Sequence, residues 1–253
     1  MSESRFFDKP ICDQGHAVTD WFRQPPGDRV AALEREVLSG MVADLFGYQL
    51  IQVGDLGGDV SHLARCPIKA KTLIGQSDAV PGLGMIVAEA QQLPVASDSI
   101  DAVLLMHTLD FAQDPHRVLR EVERVLIADG RLIVTGFNPF SLWGLRRLAA
   151  LRRRDVPWCG HFLSYPRLSD WLALLGFGVE RVDVMEFRPP TRHAQLDWLE
   201  RAGRRAWPMF AGVYVVRAVK RVARVTPLKP RWPRPRAVGS RAIEPTAREV
   251  RDV

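Results

Sequence analysis

The sequence predicts an α/β protein built on a doubly wound sheet of seven strands. Three observations carry this. Residues 88–134 read as loop, strand, capped helix, tight turn and strand, which is half of a nucleotide-binding sheet. Five strand-like segments alternate with helical ones, and two further strands close the sequence. Segment 100–106 (IDAVLLM) is nearly all apolar, as expected of a parallel strand covered on both faces.

The elements follow in chain order. Residues 1–27 form a lead-in that ends at the breaker Gln24-Pro25-Pro26-Gly27. Asp28 is suited to cap a helix running to about Phe46, because Val30, Leu33, Val37, Leu38, Met41, Val42 and Leu45 recur at helical spacing. Gly47 ends it, and residues 49–53 (QLIQV) make the first strand. A glycine-rich turn, Gly54 to Asp59, leads to a short helix at 60–64. Strands are expected at 71–75, 84–88 and 100–106. Asp114 with Pro115 has the chemistry of a helix start, and Val118, Leu119, Val122, Val125 and Leu126 give that helix one apolar stripe. Gly130 supplies a turn before a strand at 131–135. Helices are expected at 141–154, 166–175 and 192–206, and strands at 178–187 and 211–219. The organisation is therefore a lead-in (1–27), one domain (28–225) with an insert at 138–165, and a Pro- and Arg-rich disordered tail from 226 to 253.

Composition narrows the function classes. No apolar run approaches the ~18 residues of a membrane-spanning helix. The start MSESRFFDKP has no apolar core of a secretory signal. Cys12, Cys66 and Cys159 are far apart, with no Cys-x-x-Cys pair, which fits a reduced cytoplasmic protein without a disulfide framework or metal site. The formal charge of +6 hides an asymmetry. Residues 201–253 hold 14 Lys/Arg and 3 Asp/Glu, a balance of +11, so the remaining 200 residues are at −5. Such a tail attracts nucleic acid or an anionic surface, or serves only solubility.

The motifs Leu93-Pro94, Asp98-Ser99-Ile100-Asp101, Asp114-Pro115, Leu119-Arg120-Glu121, Arg124-Val125-Leu126 and Gly130-Arg131-Leu132 stand in an order and spacing that resembles class I S-adenosylmethionine-dependent methyltransferases of the type 11 domain. Segment Gly136-Phe137-Asn138-Pro139-Phe140-Ser141-Leu142-Trp143-Gly144 resembles a bacterial, YafS-like subgroup. The resemblance implies a Rossmann-like, seven-stranded, mostly parallel sheet with an antiparallel last strand, S-adenosyl-L-methionine as cofactor, and methyl transfer to an acceptor that the resemblance does not name.

It also implies site residues. In the family an acidic residue and a Gly-x-Gly-x-Gly turn follow the first strand, and the glycines let backbone approach the cofactor closely. Here Gln52 stands in the acid's place, and Gly54 and Gly58 match two glycines. Two registers fit the third: Leu56 in its place, or Gly57 after a one-residue slip. Asp78 is the carboxylate nearest the expected ribose-binding position, and Glu89-Ala90 resembles the pair that recognises adenine. His107 follows the fourth strand beside the expected methyl group and is a candidate base. Asn138, Trp143, Trp158 and His161 lie in the insert after the fifth strand, among arginines 146, 147 and 152–154, and are candidates for the acceptor side. No Gly-x-Gly-x-x-Gly follows the first strand, which argues against a nicotinamide oxidoreductase. The departures at Gln52, Leu56 and Ser77 leave a second reading: a pseudo-methyltransferase that acts as a binding module through its basic insert and tail.

Residues 226–253 carry five prolines among arginines and little apolar surface to offset ordering entropy. Their deletion is expected to leave the melting temperature of the domain nearly unchanged, as read by calorimetry.

Overall fold

A computed structural model describes residues 15–75, 83–149, 156–190, 200, 203, 205 and 207–221. Seven strands form one sheet: β1 (Gln49–Val53), β2 (Ala70–Ile74), β3 (Gly84–Ile86), β4 (Ile100–Met106), β5 (Leu126–Phe137), β6 (Phe177–Met185) and β7 (Val213–Lys220). Their order is β3-β2-β1-β4-β5-β7-β6. The pairs among β1 to β5 are parallel, and β7 runs antiparallel to both β5 and β6. After β3 at one edge the chain returns past β1 to lay down β4. The β1–β4 boundary is therefore the topological switch point, where such sheets bind ligands at their carboxyl ends.

The helices are α1 (Gly15–Phe22), α2 (Gly27–Val42), α3 (Thr108–Phe111), α4 (Pro115–Val125), α5 (Leu142–Ala149) and α6 (Tyr165–Leu174). They cover both faces of the sheet, and β4 shows how. Ala102, Leu104 and Met106 join the core of Leu38, Met41 and Ile133, while Val103 and Leu105 join that of Val118, Val122, Leu132 and Leu172. The period of two sends alternate side chains to opposite faces, so a strand buried on both sides must be apolar throughout.

Several expectations are corrected. The lead-in contains a helix, α1. Asp28 is not the cap of α2: Pro26 holds that place, and Asp28 lies in the first turn, where its Oδ1 accepts from the Arg29 amide at 2.7 Å. α2 ends at Val42, short of the expected Phe46. β5 begins at Leu126, and the left-handed residue of its opening is Asp129 (φ 62°), not Gly130. Gly130 is instead needed for space, since a Cβ there would lie 2.9 Å from the Ile127 carbonyl oxygen. Cys66 is a free buried thiol. Residues 152–154, most of 192–206, and 226–253 lie outside the described residues.

Asp114 does cap α4, its Oδ1 accepting from the Arg117 amide at 3.0 Å. On the next turns Glu121 and Arg124 clamp the loop before β4. Glu121 Oε1 accepts from the Leu93 amide at 2.9 Å. Arg124 donates to the carbonyls of Leu93 and Val95 at 3.3 and 2.9 Å, to Ser97 Oγ at 3.0 Å, and to Glu121. Removing a donor to backbone carbonyls leaves them short of partners. Arg124→Ala is expected to cost about 1–3 kcal/mol, whereas exposed Arg120→Ala stays within about 0.5 kcal/mol; urea unfolding of the two variants checks this.

Candidate functional site

The switch point is built first by glycine. Gly54 leaves β1 with φ 84°, and its amide donates to the Ile74 carbonyl at 3.0 Å. A Cβ at Gly54 would lie 2.5 Å from the Met106 carbonyl oxygen, so the turn passes over the end of β4 only without a side chain. Gly57 and Gly58 follow with φ of 79° and 86°. Leu56 is buried in the core beside the sheet. Gly57 and Gly58 carry the left-handed turn after it.

Gln52, in the place of the family's acid, is buried and committed. Its Nε2 donates to the Gly54 carbonyl at 3.1 Å, and its Oε1 accepts from His62 Nε2 at 2.9 Å. Burial lowers the His62 pKa to about 4, against the pull of Asp59 and with that of Arg35. The imidazole is therefore neutral, and its one N–H serves Gln52. An uncharged pair thus holds the turn where a carboxylate is expected. The end of α1 lies against the same turn. Arg23 Nε donates to the Gly57 carbonyl at 3.0 Å, Thr19 Oγ1 to Asp55 Oδ2 at 3.4 Å, and the Gly58 amide to Asp55 Oδ1.

After β3, Glu89 is exposed, while Ala90 is half-buried. Asp78 lies outside the described residues. Among the described residues no cluster of three His, Cys, Asp or Glu could hold a metal ion.

His107 is wholly buried. It adopts φ 50° at the end of β4, and its amide donates to Thr135 Oγ1 at 3.0 Å. Its Nε2 lies 2.6 Å from Glu34 Oε1 on α2, and its Nδ1 lies 2.8 Å from Asp110 Oδ2 on α3. Asp110 Oδ2 also accepts from the Phe137 amide at 2.9 Å. The ring sits between Phe22 and Phe137, with centroids 5.2 and 4.2 Å away. Burial alone would depress the pKa of His107, but the Glu34 charge and the hydrogen bonds from Asp110 and Glu34 outweigh it and raise it to about 9. Both nitrogens then donate, and an imidazolium bridges two carboxylates. In this arrangement His107 positions α2 against the ends of β4 and β5 and faces no open space. Sequence reasoning missed Glu34. The signal was there: Glu34 stands between Val30 and Leu38 in the middle of the apolar stripe of α2.

The acceptor-side candidates divide. Asn138 is a staple: its Nδ2 donates to the carbonyls of Met209 and Ala211 at 2.7 and 3.0 Å, and its Oδ1 accepts from the Phe140 amide at 3.1 Å. Trp143 is buried, with its indole N–H given to the Arg188 carbonyl at 3.1 Å. Trp158 and His161 are half-buried. The Arg146 guanidinium lies 5.3 Å from the Trp158 ring centre, and that of Arg147 lies 5.4 Å from the Phe162 ring. Burial, with Arg147, holds the His161 pKa below its ordinary value.

Residues 52–134 match the family model described as a methyltransferase domain. Over these residues the chain carries a methyltransferase domain. It is 36% identical over 162 residues to Uncharacterized protein YafS of Escherichia coli (strain K12), covering 64% of this chain and 65% of YafS. It is 28% identical over 184 residues to a malonyl-[acyl-carrier protein] O-methyltransferase of Methylococcus capsulatus, covering 64% of this chain and 65% of that one. The chain thus spans a little under two thirds of these curated relatives. A crystal structure of an S-adenosylmethionine-dependent methyltransferase from Thermotoga maritima has the same fold, with a TM-score of 0.59 at 20% identity, over 81% of this chain and 99% of that one. Within these residues Leu93, Glu121 and Arg124 clamp the loop before β4.

An imidazole whose pKa is higher folded than unfolded binds extra proton in the folded state between the two values. The stability that His107 contributes is full below about 6.5 and is lost as pH rises through about 9. Melting temperature is expected to fall across that window, and His107→Gln, although less stable, is expected to give a flatter profile. Parallel profiles for the two proteins would show that another group is responsible.

Proposed function

We propose that this chain is an S-adenosylmethionine-dependent methyltransferase whose cofactor sits across the carboxyl ends of β1 to β4. The observation that carries the reading is the methyltransferase domain at 52–134, whose left-handed glycines 54, 57 and 58 stand at the switch point of the sheet. The residues fit the cofactor. A Cβ at Gly58 would meet only the Arg23 Nη2 at 3.1 Å, so just the end of one flexible side chain overhangs that glycine. Gly54, Gly57 and Gly58 would receive the amino-acid end. Asp78 would accept from the ribose hydroxyls, Glu89 from the adenine amino group, and the Ala90 amide would donate to the ring. When bound, the cofactor supplies a methyl carbon already activated by its sulfonium.

The chain's own task is then to align and to exclude water, which needs little acid–base machinery. His107 acts here by holding α2, not by taking a proton from the acceptor. Trp158, His161 and the Arg146 guanidinium suit a planar or anionic acceptor. The acyl-carrier-protein methyltransferase among the relatives supports the class of reaction and leaves the acceptor open. Cytoplasmic residence is proposed from the sequence. No described helix is long and apolar enough to cross a membrane.

One observation favours the second reading, a pseudo-methyltransferase that binds partners through its basic insert and tail. The neutral Gln52–His62 pair replaces the family's carboxylate, and Arg23 lies on the glycine turn. Calorimetry separates the two. S-adenosylhomocysteine is expected to bind with micromolar or weaker affinity, and Glu89→Ala is expected to weaken it by about 1–3 kcal/mol without loss of fold. Absence of heat and of thermal shift at millimolar S-adenosylmethionine and S-adenosylhomocysteine would leave the pseudo-enzyme.

A further inference from the structure

α5 is amphipathic in the wrong sense for a helix of an isolated domain. Trp143 and Gly144 are buried, while Leu142, Leu145 and Leu148, three residues apart, face solvent. Phe140, just before the helix, is also exposed. The 3-10 turn Pro208–Phe210 adds Met209 and Phe210, and Asn138 joins the two segments by donating to the Met209 carbonyl at 2.7 Å while accepting from the Phe140 amide. These six side chains range from 45% exposed at Leu142 to 71% at Met209. Trp207 stands beside them at 61%. Scattered exposed hydrophobics need no explanation, but a patch assembled from two segments does.

Charge selects the occupant. Arg146 on α5 is exposed, and Arg152, Arg153 and Arg154 follow α5 in the chain. A second copy docked face to face would set these arginines against their own counterparts. A nucleic acid would use the arginines but leave the leucines in water. An anionic bilayer takes both: leucine, phenylalanine and tryptophan enter the headgroup boundary, and arginine pairs with lipid phosphate. We propose that this face docks the protein peripherally on an anionic lipid surface. The proposal is independent of the methyltransferase reading.

The test uses the full chain, because the basic tail could bind charge alone. Co-flotation is measured with phosphatidylcholine vesicles with and without phosphatidylglycerol, at low and high salt. The chain is expected to float with phosphatidylglycerol vesicles and to retain part of that binding at high salt, where purely electrostatic attraction is screened. Leu145→Glu and Phe210→Ser alter exposed side chains, so melting temperature is expected to hold. Each is expected to lower the partition coefficient by roughly tenfold or more, the order set by withdrawing one apolar side chain from the interface. Wild-type-like flotation of both variants would assign binding to the tail and overturn the proposal. So would failure of the wild type to float, or a concentration-dependent dimer, seen by light scattering, that the same substitutions abolish.

Discussion

Glu34, His107 and Asp110 come from α2, the end of β4 and α3, and the carboxyl end of the sheet is assembled around them. Two carboxylates buried together would repel each other, and a lone buried imidazole would stay neutral. Joined at 2.6 and 2.8 Å, the two carboxylates keep the imidazole protonated, while burial still raises the Asp110 pKa. The Asp110 carboxylate also takes the Phe137 amide, so the ion cluster locks the ends of β4 and β5 to one another. Through Glu34 it holds α2 and, through the Phe22–His107 ring contact, the end of α1. The helices that overlie the glycine turn are thus tied to the sheet by charge as well as by apolar contact.

That arrangement changes the meaning of His107. Position alone makes it a candidate base, because it follows the fourth strand at the mouth of the crevice. Burial and two carboxylate partners make it a strut. The same holds for Gln52 and Asn138, which motif comparison sets at the cofactor and at the acceptor. Gln52 staples the glycine turn to His62, and Asn138 staples the start of the insert to the turn before β7. Among the described candidates, Glu89 is exposed after β3 and Trp158 is half-buried in the insert.

The apolar face of α5 belongs to the same insert. Its inner side, through Trp143, is packed under Phe137, with ring centroids 5.8 Å apart, and next to Trp158. α5 is therefore seated on the core through Trp143, and its leucines are held outward by the packing of the other side. A surface of this kind is set by which helix face wins the contact with the core.

Much of the fold was legible from residue order. β1 and β4 fall at the expected residues 49–53 and 100–106, because an apolar run bounded by turn residues has few other ways to be buried. Asp114-Pro115 starts α4 and Gly176, at φ 80°, closes α6 for local reasons that need no distant partner. The class of domain was legible too, since its motifs are local clamps on that sheet. What the sequence could not decide was pairing at a distance. Glu34 and His107 are 73 residues apart, and nothing local tells a buried glutamate that will meet an imidazolium from a fault in an apolar stripe. Whether Leu56 or Gly57 takes the middle of the turn depends on a core that only the packed helices supply. Those outcomes belong to tertiary structure because the energy of a buried charge or a crowded turn is set by neighbours that the chain brings together only on folding.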